Sequence, residues 1–269
     1  MNRIIIPVVI VIIMVAGYMA IKMRQQDAQP ATVEIELPPQ VGTPEPVQSP
    51  AVQFPVPEPQ VAAEPVEPLP VLDESDQAVE REFNSLINDD SQLGQMLMFK
   101  TFVRNFAVIV DNLASAKIPQ KYQFVKPPAG TFMPSKDEAG NIFINPENQA
   151  RYLPFVRLVS AMDTEQIVDV YVYLYPLFQQ AYEELGYPDR YFNDHMIETI
   201  NHLLETPEVQ EPIALIQPKV YYQFADPELE ARSAGQKLLL RMGQENAALL
   251  KLKLEELKSK LTTLQGMPE

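Results

Sequence analysis

Residues 96–113 read MLMFKTFVRNFAVIVDNL. Met96, Phe99, Val103, Phe106, Val110 and Leu113 alternate spacings of three and four, and Phe102, Ala107 and Ile109 widen the apolar face beyond a simple seam. That periodicity predicts a helix at the centre of a core. Upstream, Val79, Phe83, Leu86 and Ile87 predict an amphipathic partner helix. Downstream, helical patterns resume after Asn145-Pro146, after Asp163 with Gln166 as a capping box, and over 193–205. Pro154 and Pro176 fall inside two of these patterns and are expected to kink or break them. Between the helices, 116–145 is rich in proline and glycine and predicts a loop with a short hairpin. Further short strands are expected near 213–216 and 220–224. The fold class is therefore mainly α, a helical-bundle domain with a small β-hairpin or short strands.

The last helix has the clearest start signal: Asp226 as cap, Pro227 at the first position, then Glu228 and Glu230 against the helix dipole. The pattern runs to about Leu264. Ala247, Leu250, Leu254, Leu257, Leu261 and Leu264 keep a three-four spacing among alternating lysines and glutamates, a coiled-coil-like seam of about two and a half heptads. Such a seam either packs along its own domain or pairs with a partner or a second copy as a homodimer.

Outside this domain the composition changes twice. Residues 4–21, IIIPVVIVIIMVAGYMAI, carry no charge, are bracketed by Arg3, Lys22 and Arg24, and as a helix would span about 27 Å, close to the hydrocarbon thickness of a bilayer. They are expected to be an uncleaved single-pass transmembrane anchor rather than a signal peptide, because the Tyr18-Met19-Ala20 end is a poor cleavage site. Residues 25–72 hold 12 prolines, 7 acids and no base. Proline removes backbone donors and like charges repel, so this stretch predicts a disordered, extended tether with a limiting reach of roughly 150 Å. Pro55-Val56-Pro57-Glu58-Pro59 could alternatively dock on a proline-reading partner. The organisation is thus anchor (1–24), acidic linker (25–72) and helical domain (73–269).

The formal charge of -15 places +3 around the anchor, -7 on the tether and -11 on the domain. That balance opposes nucleic-acid binding. With no cysteine there is no disulfide, thiolate metal site or thiol nucleophile. No Walker loop, dinucleotide glycine pattern, nucleophile elbow or zincin motif occurs, and no cofactor or metal is expected. Asp137, Glu138 and Asn141 lack calcium-loop spacing and read as a solvated turn.

The candidate functional residues are few. His195 and His202 lie i, i+7 on one predicted helix with Glu198 between them, on a face turned away from its apolar centre, so both are expected near the surface. Tyr171, Tyr175 and Tyr182 form an aromatic stripe suited either to stacking on sugars or prolines or to a core boundary, and the apolar neighbours favour the core. Lys237 and Arg241, i, i+4, could grip an anion or serve as surface or ion-paired residues.

Several stretches resemble a known bacterial family: Val110-Asp111-Asn112-Leu113, Ala150-Arg151-Tyr152, Tyr175-Pro176-Leu177, Ala181-Tyr182-Glu183-Glu184-Leu185-Gly186-Tyr187-Pro188, Phe224-Ala225-Asp226-Pro227, Ser233-Ala234-Gly235-Gln236-Lys237 and Arg241-Met242-Gly243. The chain is similar, over most of 73–260, to domain of unknown function 3014. The resemblance implies a bacterial membrane setting with an N-terminal anchor and proline-rich tether, and it carries over no activity. The expectation is a non-enzymatic, inner-membrane-tethered interaction or scaffold protein of the cell envelope, its domain periplasmic and bound to a protein or cell-wall partner. The alternatives are a membrane-anchored cell-wall hydrolase using carboxylates and His195 or His202, and, with the opposite membrane orientation, a cytoplasmic adaptor.

Overall fold

The helix expected across 96–113 forms only from Phe102. In a computed structural model of the chain, which describes residues 51–57, 68–84 and 96–264, helix α1 (Asp76–Asn84) sets that start: its Asp76 carboxylate accepts the backbone N–H groups of Thr101 and Phe102 at 2.7 and 3.0 Å. Thr101 takes a left-handed φ of 50° and ends the preceding segment, whose Leu97 instead bridges Val125. Helix α2 (Phe102–Leu113) follows. The expected membrane span at 4–21, the tether apart from 51–57 and 68–72, and Leu86 and Ile87 lie outside the described residues. Among the described residues no helix is long and apolar enough to cross a membrane.

Strands β1 (Pro134–Lys136) and β2 (Ile142–Ile144) make the expected hairpin, slightly displaced along the chain. Its turn is closed by Asp137, which accepts from the backbone and side-chain nitrogens of Asn141, both at 2.8 Å. Strands β3 (Ala214–Ile216) and β4 (Gln223–Phe224) extend it to a four-stranded antiparallel sheet in the order β1-β2-β3-β4, with Ile142 opposite Leu215 and Leu215 opposite Phe224. A small separate core of Ile144, Ile213, Leu215, Phe224, Leu229 and Leu240 packs there.

Helices α3 (Asn148–Ala161) and α4 (Thr164–Glu184) contain Pro154 and Pro176, and neither proline ends its helix. The ladder bond that each proline removes is outweighed by tertiary burial: Phe155, Val156, Leu177 and Phe178 beside them are nearly fully enclosed. Asp163 caps α4 by accepting from Gln166 N, as expected. Helix α5 (Phe192–Leu204) comes next.

The single last helix expected from Asp226 is three. Asp226 caps a four-residue turn, α6 (Pro227–Glu230). Ser233 then caps α7 (Ala234–Met242), its hydroxyl accepting from Gln236 N. Gly243, at φ 91°, breaks the chain again before α8 (Gln244–Thr262). The leucine period begins only after the second break, with α8. Leu250, Leu254, Leu257, Leu261 and Leu264 are buried against α3, α4 and α5, so the coiled-coil-like seam is occupied by its own domain. Helix α8 is the axis of the bundle. Even Lys253 is drawn in, its ammonium satisfied by Met162 O, Thr164 Oγ1 and Glu256.

Candidate functional site

The tether returns to the domain. Residues 51–57 lie across the start of α5, bent at Gln53 and Phe54, and three side chains there hold the backbone. Asp194 accepts the N–H groups of Gln53 and Phe54 at 2.9 and 2.8 Å, one on each carboxylate oxygen. The Tyr191 hydroxyl accepts from Val56 N at 2.6 Å, and Asn193 Nδ2 donates to Phe54 O at 2.8 Å. Pro55 occupies the one intervening position, where no N–H is required. Phe54 and Val56 are half-buried against the main core.

The platform beneath is set by α4. Tyr175 donates to Gln179 Oε1 at 3.0 Å, and the same oxygen accepts from Phe192 N at 2.8 Å, fixing where α5 begins. Rings of Tyr171, Tyr175 and Tyr191 follow one another, with centroids 5.6 and 5.3 Å apart. Burial pushes the Tyr171 and Tyr175 hydroxyls well above the ordinary phenol range. Both therefore act as neutral platform residues, buried as the sequence favoured. The side chains that meet the segment, Tyr191, Asn193 and Asp194, carried no periodic signal. One signal was available: Phe54 is the only aromatic residue between 25 and 72.

The clasp is weakly poised. Hydrogen bonds contribute about 0.5–1.5 kcal/mol each, or about 1.5–3 to a charged acceptor, while fixing a residue costs about 1–2 kcal/mol. Four ordered residues nearly offset four bonds. What remains is the partial burial of Phe54 and Val56.

His195 is a second cluster and a correction. Its side chain is only 17% exposed, stacked on the Tyr182 ring with centroids 5.2 Å apart. Helix α5 is covered on two sides, so a face pointing away from α8 meets α2 and α4 instead of solvent. Nε2 lies 3.5 Å from Asp111 on α2 and Nδ1 lies 3.7 Å from Glu198. Burial lowers the imidazole pKa, the two carboxylates opposing it. Tyr182, wholly buried and stacked in turn on Tyr187, is pushed up to about 12 by desolvation, with Asp111 adding to the shift.

Because His195 titrates below its unfolded value of about 6.5, the unfolded chain takes the proton first. Stability is whole above that pH and falls as pH drops toward the folded pKa, by about 1.4 kcal/mol per unit of depression. The urea midpoint of the chain should therefore fall between pH 7.5 and 5.5, and by less in His195→Phe. Equal losses in both proteins would remove His195 from the account.

His202 is not brought to His195. Its Nε2 lies 2.8 Å from the Ser233 hydroxyl, and its backbone carbonyl accepts from Gln236 Nε2, a clip joining α5 to the start of α7. Lys237 pairs with Glu230 at 3.2 Å. Arg241 is buried, contrary to a surface role; its guanidinium lies 4.9 Å from the centroid of the Phe224 ring, and burial lowers its pKa. The eight candidate residues thus divide among a tyrosine platform, a histidine stack, a helix clip, an ion pair between α6 and α7, and a cation against Phe224. Among the described residues no group of three or more His, Asp or Glu could hold a metal ion.

The side-chain clusters assembled here, Asp111 beside His195, Ser233 on His202 and Arg241 on Phe224, all lie within residues 102–258. That span matches the model of a family described as protein of unknown function, DUF3014. The chain belongs to the DUF3014 family. No curated protein and no solved structure matches it. The docked segment at 51–57 lies outside the matched span of the DUF3014 domain.

Proposed function

We propose that this DUF3014 protein is a non-enzymatic interaction module, tethered to the bacterial inner membrane by residues 4–21, that binds peptide segments on the α4–α5 face of its domain. The observation that carries this reading is the set of four side-chain bonds to the backbone of 53–56. An anchor with a proline-rich tether raises local concentration without fixing orientation, which suits recruitment at the envelope.

The histidines give the hydrolase alternative little support. Both ring nitrogens of His195 are buried, and His202 is engaged with the residue that caps α7. The groove between the 206–213 loop and α7–α8, about 290 Å³, is floored by Ile213, Leu239 and Leu240, and neither histidine lines it.

Two measurements test the reading. Reporter fusions after Leu72 and at the C-terminus should place the domain outside the cytoplasm. Amide exchange at Gln53, Phe54 and Val56 should be slow in the wild-type chain and at least tenfold faster in Asp194→Ala. Fast exchange in the wild type would mean that the face does not hold peptide.

A further inference from the structure

The resident segment is an imperfect occupant. The site offers a carboxylate, Asp194, on a domain whose net charge of -11 lies entirely before residue 226, yet the tether brings seven acids and no base. Like charges on both partners oppose their association, the more so at low salt. Asn193 donates to Phe54 O and Leu261 O while its own Oδ1 is buried without a hydrogen-bond partner. The bonds that are made address backbone atoms at 53, 54 and 56, so they tolerate many side chains and leave the third position open to proline. Phe54 and Val56 supply side-chain selection, an aromatic and an aliphatic residue packed against the core on either side of the half-buried proline.

We propose that the α4–α5 face receives, in trans, an aromatic-proline-aliphatic segment flanked by basic residues on another protein, and that residues 53–56 are its built-in competitor. This rests on the peptide-binding reading above and adds the partner's chemistry and the regulation of the site. The acidic tether supplies the same backbone pattern at a high effective concentration but with the wrong charge. A basic segment replaces it by matching the field of the domain. Release of the segment also returns residues 51–57 to the spacer, lengthening the tether as the partner binds.

The test uses the full chain in detergent micelles and a fluorescein-labelled peptide, KAVQFPVPK, read by anisotropy at 25 and 200 mM salt. Phe54→Ala should bind the peptide at least tenfold more tightly than wild type, with affinity falling as salt rises. The double variant Phe54→Ala/Asp194→Ala, with an unchanged thermal melt, should lose at least tenfold. Equal binding by wild type and Phe54→Ala would overturn the competition while leaving peptide binding intact. Absence of binding to all three would overturn both. Tighter binding of the uncapped AVQFPVP would overturn the basic flank. Concentration-dependent dimers of wild type, lost in Phe54→Ala, would make a second copy the occupant and overturn a foreign partner.

Discussion

Phe106→Ala should destabilise the domain by about 3–5 kcal/mol, a large share of the roughly 5–15 kcal/mol that holds a typical domain folded. Phe106 is 2% exposed, and its ring meets four others: Phe102 at 6.2 Å, Phe124 at 6.1 Å, Phe178 at 4.9 Å and Phe192 at 6.2 Å between centroids. Those rings come from α2, α4, α5 and the loop after α2, so the cavity would open where four segments join. Collapse into it is opposed because Phe178 and Phe192 already stack on each other. Urea unfolding followed by circular dichroism would measure the loss. A loss below about 1 kcal/mol would mean that the neighbouring rings close the space, and the centrality of this contact would be withdrawn.

Gly235→Val should cost about 2–3 kcal/mol through overpacking. A Cβ at Gly235 would stand 2.5 Å from Leu203 Cδ2, 3.0 Å from the Leu113 carbonyl oxygen and 3.3 Å from Leu113 Cδ2. Leu203 and Leu113 are both nearly fully buried, so the leucine has little room to yield and the carbonyl has less. The position is where α7 passes between the ends of α2 and α5. Gly235→Ala should cost less, since alanine recovers about 1 kcal/mol of helix propensity. Valine without a greater loss than alanine would mean that α7 is free to move away.

Much of the architecture was legible in residues 73–264 because local chemistry announces itself. The Asp163 and Asp226 caps and the hairpin turn lie where side-chain bonding to nearby backbone favours them. The errors share a cause. Met96 and Phe99 fit the period of α2, but Asp76, about 25 residues away, captures the donors of Thr101 and Phe102 and moves the helix start. The last helix looked continuous because no proline interrupts the chain between Pro227 and Leu264, whereas Gly243 breaks it where a Cβ would lie 2.5 Å from the Gln149 side chain. His195 looked exposed because a helical wheel assumes one buried face, and α5 has more than one.

The candidate site was the least legible part. Tyr171 and Tyr175 were visible as a stripe, yet they are only the support. Tyr191, Asn193 and Asp194 act through four bonds to a segment about 140 residues earlier in the chain. Sequence alone determined the helical class, the composition of the three segments, the capped helix starts and the family resemblance, all of which depend on neighbours within a few residues or on bulk composition. Only the tertiary structure decided that the leucine seam turns inward, that His195 is buried, and that a proline-rich tether segment lies on its own domain. Those outcomes depend on which distant surface covers each side chain, and periodicity along a chain carries no record of that.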